Sequence, residues 1–173
     1  MSNKRKTFYF NDDKEKPITA GGVILYKIEN DKIYLLLIDS RGNYEDFGGR
    51  SDDTDETIFD VVSREAHEES NYILNKDAIK ERLKTAKFAY IPQSKYIVYV
   101  INANNEESKL TSKIFGEKEI HDDIPRKVKW VPMEIFMKPE IIKYKVSKRL
   151  KNKYFFDILK SIEKDMLEWD IFF

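Results

Sequence analysis

The chain of 173 residues contains no cysteine. That excludes a disulfide scaffold, thiolate metal sites and a cysteine nucleophile together. It has no excess charge of either sign, since 31 lysines and arginines balance 31 aspartates and glutamates. Such a balance disfavours a protein that coats nucleic acid non-specifically, and no duplex DNA partner is expected, although a local basic face is permitted. Long hydrophobic runs are missing as well. No stretch approaches the roughly 18 uninterrupted apolar residues of a spanning helix, and the opening MSNKRKTFYFNDDKEKP is polar. The expectation is a cytoplasmic protein with no membrane partner. Internal repeats and low-complexity linkers are absent too.

What is present reads as one globular domain over residues 1–173, with 1–17 as a polar leader. The 41% hydrophobic and 13% aromatic fractions are ordinary for a folded protein, and the length sustains a sizeable core. The apolar runs Ala20–Tyr26 and Ile33–Ile38, around the turn Glu29-Asn-Asp-Lys, predict a β-hairpin. The second run is apolar on both faces, as for a central strand covered on both sides. A glycine-bearing loop, Ser40 to Thr54, then leads into a helix over about Asp55–Asn71. Asp53, Thr54 and Asp55 are candidate caps, and Asp53 with Glu56 has capping-box spacing. A short helix over Asp77–Lys84 follows, then a strand pair or one kinked strand over Lys87–Asn102. A charged loop, Asn104 to Pro125, precedes the short strand Lys127–Pro132 and the apolar stretch Met133–Met137. The last element is a long helix over Ile141–Trp169, with Ile142, Val146, Leu150, Phe155, Leu159, Ile162 and Met166 at helical spacing. This order of elements implies an α/β or α+β domain.

The helix near residue 60 breaks the usual pattern. At about 100° per residue, Ile58, Val61, Val62 and Ala66 share one broad face, and Glu65 and Glu69 fall in its middle. Glu68 sits at the rim, Arg64 on a flank, and His67 points away. Burying an unpaired carboxylate costs several kcal/mol, so two inward acids one turn apart demand a cation, either a basic side chain or a metal. Three carboxylates with no soft ligand nearby suit magnesium or manganese, and magnesium commonly completes its shell with water and substrate phosphate. The competing reading is a solvated acidic face on which Arg64 merely pairs with Glu68 across one turn.

The surrounding residues favour the metal. Gly48-Gly-Arg-Ser-Asp-Asp-Thr-Asp-Glu-Thr, followed seven residues after Glu56 by Arg64-Glu-Ala-His-Glu-Glu-Ser-Asn-Tyr, resembles the Nudix box. From Glu56 through Tyr72 the match is in register. Ala20-Gly-Gly-Val-Ile-Leu is similar to that family's opening strand and Trp130-Val-Pro-Met-Glu-Ile-Phe to its late strand, so the resemblance spans roughly residues 18 to 137. Two departures stand out: six residues rather than five separate Gly49 from Glu56, and Asn71 takes the place of the final glycine, where a left-handed cap tolerates Asn. Glu45-Asp-Phe-Gly-Gly-Arg is also similar to variants in large DNA viruses, some of which remove mRNA caps.

The resemblance implies a Nudix fold, a mixed β-sheet between helices with a long C-terminal helix, and a Mg2+- or Mn2+-dependent pyrophosphohydrolase acting on a nucleoside diphosphate linked to another moiety. It assigns Glu65 and Glu69 to the metal, and Glu68 to a further ligand position or to water activation. Arg64 would orient the glutamates with Glu56 as its partner, and the backbone of Gly48 and Gly49 would lie against metal or phosphate. A glutamate on a loop such as 116–123 often serves this family as general base, which makes Glu117 and Glu119 candidates.

Phe47, Tyr44 and Tyr90 are candidates for stacking a base, although aromatics at strand ends are more often core. Arg50, beside the glycines, is a further candidate for substrate contact. Lys138 to Lys153 carries seven basic residues against one acid, Glu140. On a helix Lys145, Arg149 and Lys153 would share a face able to track RNA phosphates. Capped mRNA is therefore one expected substrate and a small nucleotide the other, with a non-catalytic nucleotide- or RNA-binding module as the alternative from a different class.

Overall fold

The predicted hairpin forms around Asn30 and Asp31, both in the left-handed region (φ 52 and 61), which short polar side chains enter more readily than others. The structure, a computed structural model, describes residues 5–120, 122–138 and 145–172, without the side chains of 145 and 170–172. In chain order its elements are β1 (Phe8–Tyr9), β2 (Pro17–Ile18), β3 (Ala20–Glu29), β4 (Lys32–Ser40), β5 (Asn43–Glu45), β6 (Phe47–Arg50), α1 (Ile58–Glu69), α2 (Lys76–Leu83), β7 (Lys87–Ile91), β8 (Tyr96–Asn102), α3 (Asn105–Ser108), α4 (Ser112–Phe115), β9 (Lys127–Pro132), β10 (Lys145–Val146) and α5 (Lys153–Phe172). β1 pairs with β2, and β3 to β10 build one mixed sheet. In it β3 runs parallel to β8 and β5 parallel to β10, while the other pairings are antiparallel.

A fork in this sheet prepares the site. The second half of β3 pairs with β4, but its first half pairs with β6, and the end of β4 pairs with β5. The β5–β6 segment is thus a wedge driven between two diverging strands. Its glycines lie opposite those of β3, Gly21 against Gly49 and Gly22 against Gly48, so the backbones meet with no side chains between them. The expected loop from Ser40 to Thr54 therefore contributes two strands. Glycine has low intrinsic strand preference, and only the facing glycines of a distant strand make this pairing favourable.

Both faces of the sheet are covered. β4 sends Leu35 and Leu37 to one core, with Phe155, Leu159 and Ile162 of α5, and sends Leu36 and Ile38 to the other, with Val62 and Ala66 of α1 and Ile79 and Leu83 of α2. The fold is α+β, a mixed sheet between helices, and β4 is the doubly covered central strand its sequence indicated. Lys87–Asn102 is a strand pair turning at Pro92, and the charged loop contains α3 and α4. The polar leader also has structure: β1 pairs with β2, while Phe8 and Phe10 pack on the core. Among the described residues no helix is long and apolar enough to cross a membrane.

Two helix starts differ from expectation. α1 begins at Ile58 behind Thr57, whose side chain and that of Asp60 form the capping box; Asp55, an expected cap, is held by Arg64 instead. The C-terminal helix begins at Lys153, not Ile141. Asn152 Oδ1 accepts from the Phe155 amide at 2.8 Å, closing the orphan donors of the first turn, and residues 145–146 run as a strand instead. Glu140, Ile141, Ile142, Lys143 and His121 lie outside the described residues.

Candidate active site on helix α1

α1 buries Val61, Val62 and Ala66 against the sheet and carries Glu65 and Glu69 to the glycine pair of β6. A Cβ placed on Gly49 would run into the Glu65 carboxylate. One residue earlier in the strand, the Gly48 amide donates to Glu69 Oε2 at 2.9 Å. Both acids therefore rest on a strand that has no side chain to exclude them. Burial pushes the Glu65 pKa up, opposed by the Arg64 charge. Burial likewise pushes Glu69 well above the ordinary range, helped by the charges of Glu65 and Asp46 and opposed by the Gly48 hydrogen bond. Glu68, with its side chain 46% exposed, stands at the rim.

Arg64 is the hub of the neighbouring charges. Its Nε and Nη2 grip Asp55 through both carboxylate oxygens at 3.1 and 2.9 Å, Nη1 donates to Glu65 Oε1 at 3.1 Å, and Nη2 also donates to the Arg50 carbonyl at 3.0 Å. Glu68 lies 3.6 Å from Nη1. This two-pronged geometry is specific to a guanidinium, and it aims Glu65 at Gly49. The partner expected from the motif, Glu56, is not the one used. Glu56 is exposed, and its amide donates to Asp60 Oδ2 at 3.0 Å, because it lies just ahead of the Thr57 cap and turns outward. Asp55, buried at 3% exposure, closes beneath the helix instead. Five residues separate Gly49 from Asp55, as in the family pattern, so the additional residue falls between Asp55 and Arg64 and not in the glycine loop.

Behind Glu69 lies a buried group that sequence reading did not single out. Asp46, at the bend of the wedge, accepts a short hydrogen bond from the Tyr96 hydroxyl and pairs with Arg149 at 3.1 Å. The Arg149 guanidinium covers the Tyr96 ring at 4.6 Å. Tyr96 fills the space beneath Gly22 and Gly48, so a Cβ on either would meet its hydroxyl. The only local signal was an acid just before Phe47-Gly-Gly. Its partners come from β8 and from the turn before α5, separations that no local pattern reports.

A third set of contacts brings a loop to the end of α1. Asn71 takes a left-handed conformation (φ 55). Its Nδ2 donates to the carbonyls of Phe115 and Lys118, both at 2.8 Å, and its Oδ1 accepts from the Ile120 amide at 2.8 Å. Arg126, buried at 6% exposure, donates from Nη2 to the Glu69 carbonyl at 2.8 Å and from Nη1 to the Gly116 carbonyl at 2.9 Å. Glu119 is half-buried on this loop. Burial raises its pKa, Arg126 opposes, and the charges of Asp122, Glu45 and Glu68 add to the rise. Glu117 is exposed.

Other expected residues fall elsewhere. Phe47 is wholly buried in the core, so it has no face to offer a base. Tyr44 packs edge-on against Phe136, and Tyr90 stacks on Phe10 while its hydroxyl donates to the Pro17 carbonyl; both are partly buried against the core. Arg50 is exposed beside the acids. Lys145, Arg149 and Lys153 share no helix, since only Lys153 lies on α5. Arg149 is committed to Asp46, Lys153 is exposed, and the Lys145 side chain lies outside the described set. His67 faces away from the acids, with Nδ1 2.8 Å from the Leu74 carbonyl.

Among the described residues no three His, Asp or Glu side chains converge on one point as a ready cage for a metal. A hard cation at this site does not require one. Magnesium takes one or two carboxylates and fills its octahedron with water and phosphate, and Glu65 and Glu69, seated against Gly49 and Gly48, supply two carboxylates. Burial is the main cause of their raised pKa values, and a cation held by the two carboxylates would offset that cost. The donor set fits.

No protein-family model matches the sequence and no curated protein matches it. Solved structures give matches at low identity. A Nudix hydrolase from M. smegmatis, RenU, is 14% identical over 86% of this chain and 87% of its own, with a TM-score of 0.49. The Nudix domain of Shewanella oneidensis NrtR, solved with ADP-ribose, is 12% identical over 75% and 79%, with a TM-score of 0.45. A C. elegans Ap4A hydrolase is 19% identical over 72% and 89%, with a TM-score of 0.40.

Proposed function

We propose that the chain is a Nudix-type hydrolase that uses a divalent cation, magnesium or manganese, to cleave the diphosphate linkage of a nucleotide derivative. The observation that carries this reading is the seating of Glu65 and Glu69 against Gly48 and Gly49, at the place where the Nudix-like pattern sets its metal-binding acids. A bound cation would neutralise diphosphate charge and make a water more acidic. The chain's own residues do the rest. Arg64 holds Glu65 toward Gly49 and the Gly48 amide holds Glu69, so both carboxylates are oriented before substrate arrives. Arg50, exposed at the rim, is available to the phosphates.

In the reaction a water oxygen forms a bond to phosphorus as the bridging P–O bond breaks, and the electron pair of that bond leaves with the phosphate or nucleotide. The water's proton goes to a carboxylate. Glu119, half-buried and with its pKa raised by burial, suits that role.

Small nucleotide derivatives are favoured over capped RNA. The basic face that would track a long RNA loses Arg149 to Asp46, and Lys153 lies on a different element from Lys145. ADP-ribose, diadenosine tetraphosphate, a nucleotide sugar, a nucleoside triphosphate and capped RNA form the test panel, with products identified by mass. Turnover of a diphosphate-linked nucleotide that requires a divalent cation and disappears in Glu69→Gln supports the reading. Undiminished turnover in that variant would sink the role of Glu69, and cleavage of capped RNA alone would restore the decapping alternative.

A further inference from the structure

The residue that replaces the motif's final glycine does more than tolerate a left-handed backbone. Glycine at that position would satisfy φ 55 at no steric cost. Asn71 satisfies it and adds a side chain whose amide group makes three hydrogen bonds, two donated and one accepted, all to the backbone of residues 115–120. None of these bonds serves the helix end itself, which is closed by the Asn71 amide to the Glu68 carbonyl and the Tyr72 amide to the His67 carbonyl. The Asn71 amide group is thus spent on the loop.

That loop carries Glu119, which is half-buried, and Arg126 bonds both to its Gly116 carbonyl and to the Glu69 carbonyl. Arg126 ties the same loop at its base, through the Phe115 and Gly116 carbonyls and, by its backbone amide, the Glu117 carbonyl. Asn71 anchors the backbone of Lys118 and Ile120, immediately on either side of Glu119 in sequence. A carboxylate held between two anchored neighbours has its direction set by them, and general-base catalysis is sensitive to such placement.

We infer that Asn71 is a positioning residue, a latch that fastens the 115–120 loop, and with it Glu119, to the end of α1 that carries Glu68 and Glu69. The inference rests on the hydrolase reading for its catalytic half and on hydrogen bonding alone for its structural half, and the test separates the two. Asn71→Gly keeps the left-handed backbone and removes only the latch, so the fold persists and the melting temperature stays close to that of the parent.

The first arm is amide hydrogen exchange of the cation-free protein. In Asn71→Gly the Ile120 amide loses its acceptor and exchanges at least about tenfold faster, while amides of β3 and β8 are unchanged. Unchanged exchange at Ile120 overturns the inference whatever the enzyme does. The second arm is a double-mutant cycle with Glu119→Gln, using the test-panel substrate that the parent turns over fastest. Asn71→Gly should lower kcat by roughly ten- to a hundredfold with KM within about twofold. In the Glu119→Gln background the same change should have little further effect, because the group it positions is already gone. Losses that simply multiply, or an effect confined to KM, would show that Asn71 does not act through Glu119. If the parent turns over no panel member, the hydrolase reading and the catalytic half fall together, and the exchange arm alone decides the latch.

Discussion

Glu69 is held where its charge is disfavoured, and that has a measurable consequence. Its folded-state pKa lies above the ordinary glutamate value of 4.5, so the native state binds its proton more tightly than the unfolded chain does. Stability of the cation-free protein should then fall as pH rises from about 4.5 through the folded-state pKa. Glu69→Gln removes that loss. The variant should melt higher than the parent by roughly a few degrees above that range, and the gap should close near pH 4, where both side chains are neutral. Manganese should raise the melting temperature of the parent and not of the variant. Equal melting curves across pH would show that Glu69 is not held at a cost. A second comparison concerns Arg64. Removing its buried partner in Asp55→Ala should destabilise by about 3 kcal/mol, since the half-buried guanidinium loses its two-pronged carboxylate, whereas Glu56→Ala should change stability by less than about 0.5 kcal/mol. The reverse order in chemical denaturation would restore Glu56 as the partner.

Among the elements, the wedge of β5 and β6 decides the geometry, and it was the part least legible in sequence. The Glu65 and Glu69 positions could be read from the helix alone, because two acids in the middle of an apolar stripe stand out against a period of 3.6 residues. The strand they rest on could not. A run such as Phe-Gly-Gly-Arg has weak strand preference, and it pairs only because Gly21 and Gly22 face it across a fork in β3. The association of Asp46 with Tyr96 and Arg149 was hidden for the same reason, being assembled from distant parts of the chain, and Arg149 read instead as part of a basic face. The helix starts were misplaced because capping depends on which of several acids is left uncommitted: Asp55 goes to Arg64, so Thr57 caps. Gly49→Ala tests the wedge directly. Its Cβ would meet the Glu65 carboxylate, the movable end of a side chain, so the fold should survive with a loss of stability of about 1 kcal/mol. Divalent-cation affinity, measured by calorimetry, should fall by about tenfold or more as Glu65 is displaced. Unchanged affinity would mean that Glu65 does not hold the cation at this strand.

For the whole molecule, the sheet acts as a platform with different duties on its two faces. One side packs α5 through Phe155, Leu159 and Ile162, and carries stability. The other receives α1, the glycine wedge and the latched loop, and carries the acids. Arg149 joins the two, because the turn before α5 reaches Asp46 beneath the glycines. The cleft of about 840 Å³ lined by Phe10, Phe88 and Tyr154 includes neither Glu65 nor Glu69, so the hydrolase reading rests on the placement of charge and not on cavity size. The central claim, that Glu65 and Glu69 serve the attack of water on a diphosphate, is tested most directly by hydrolysing the best panel substrate in isotopically labelled water with magnesium present. Mass analysis should find one heavy oxygen in one phosphate product per cleavage, with no product from Glu69→Gln or without a divalent cation. Product that carries no label, or that forms equally in the variant, would contradict it.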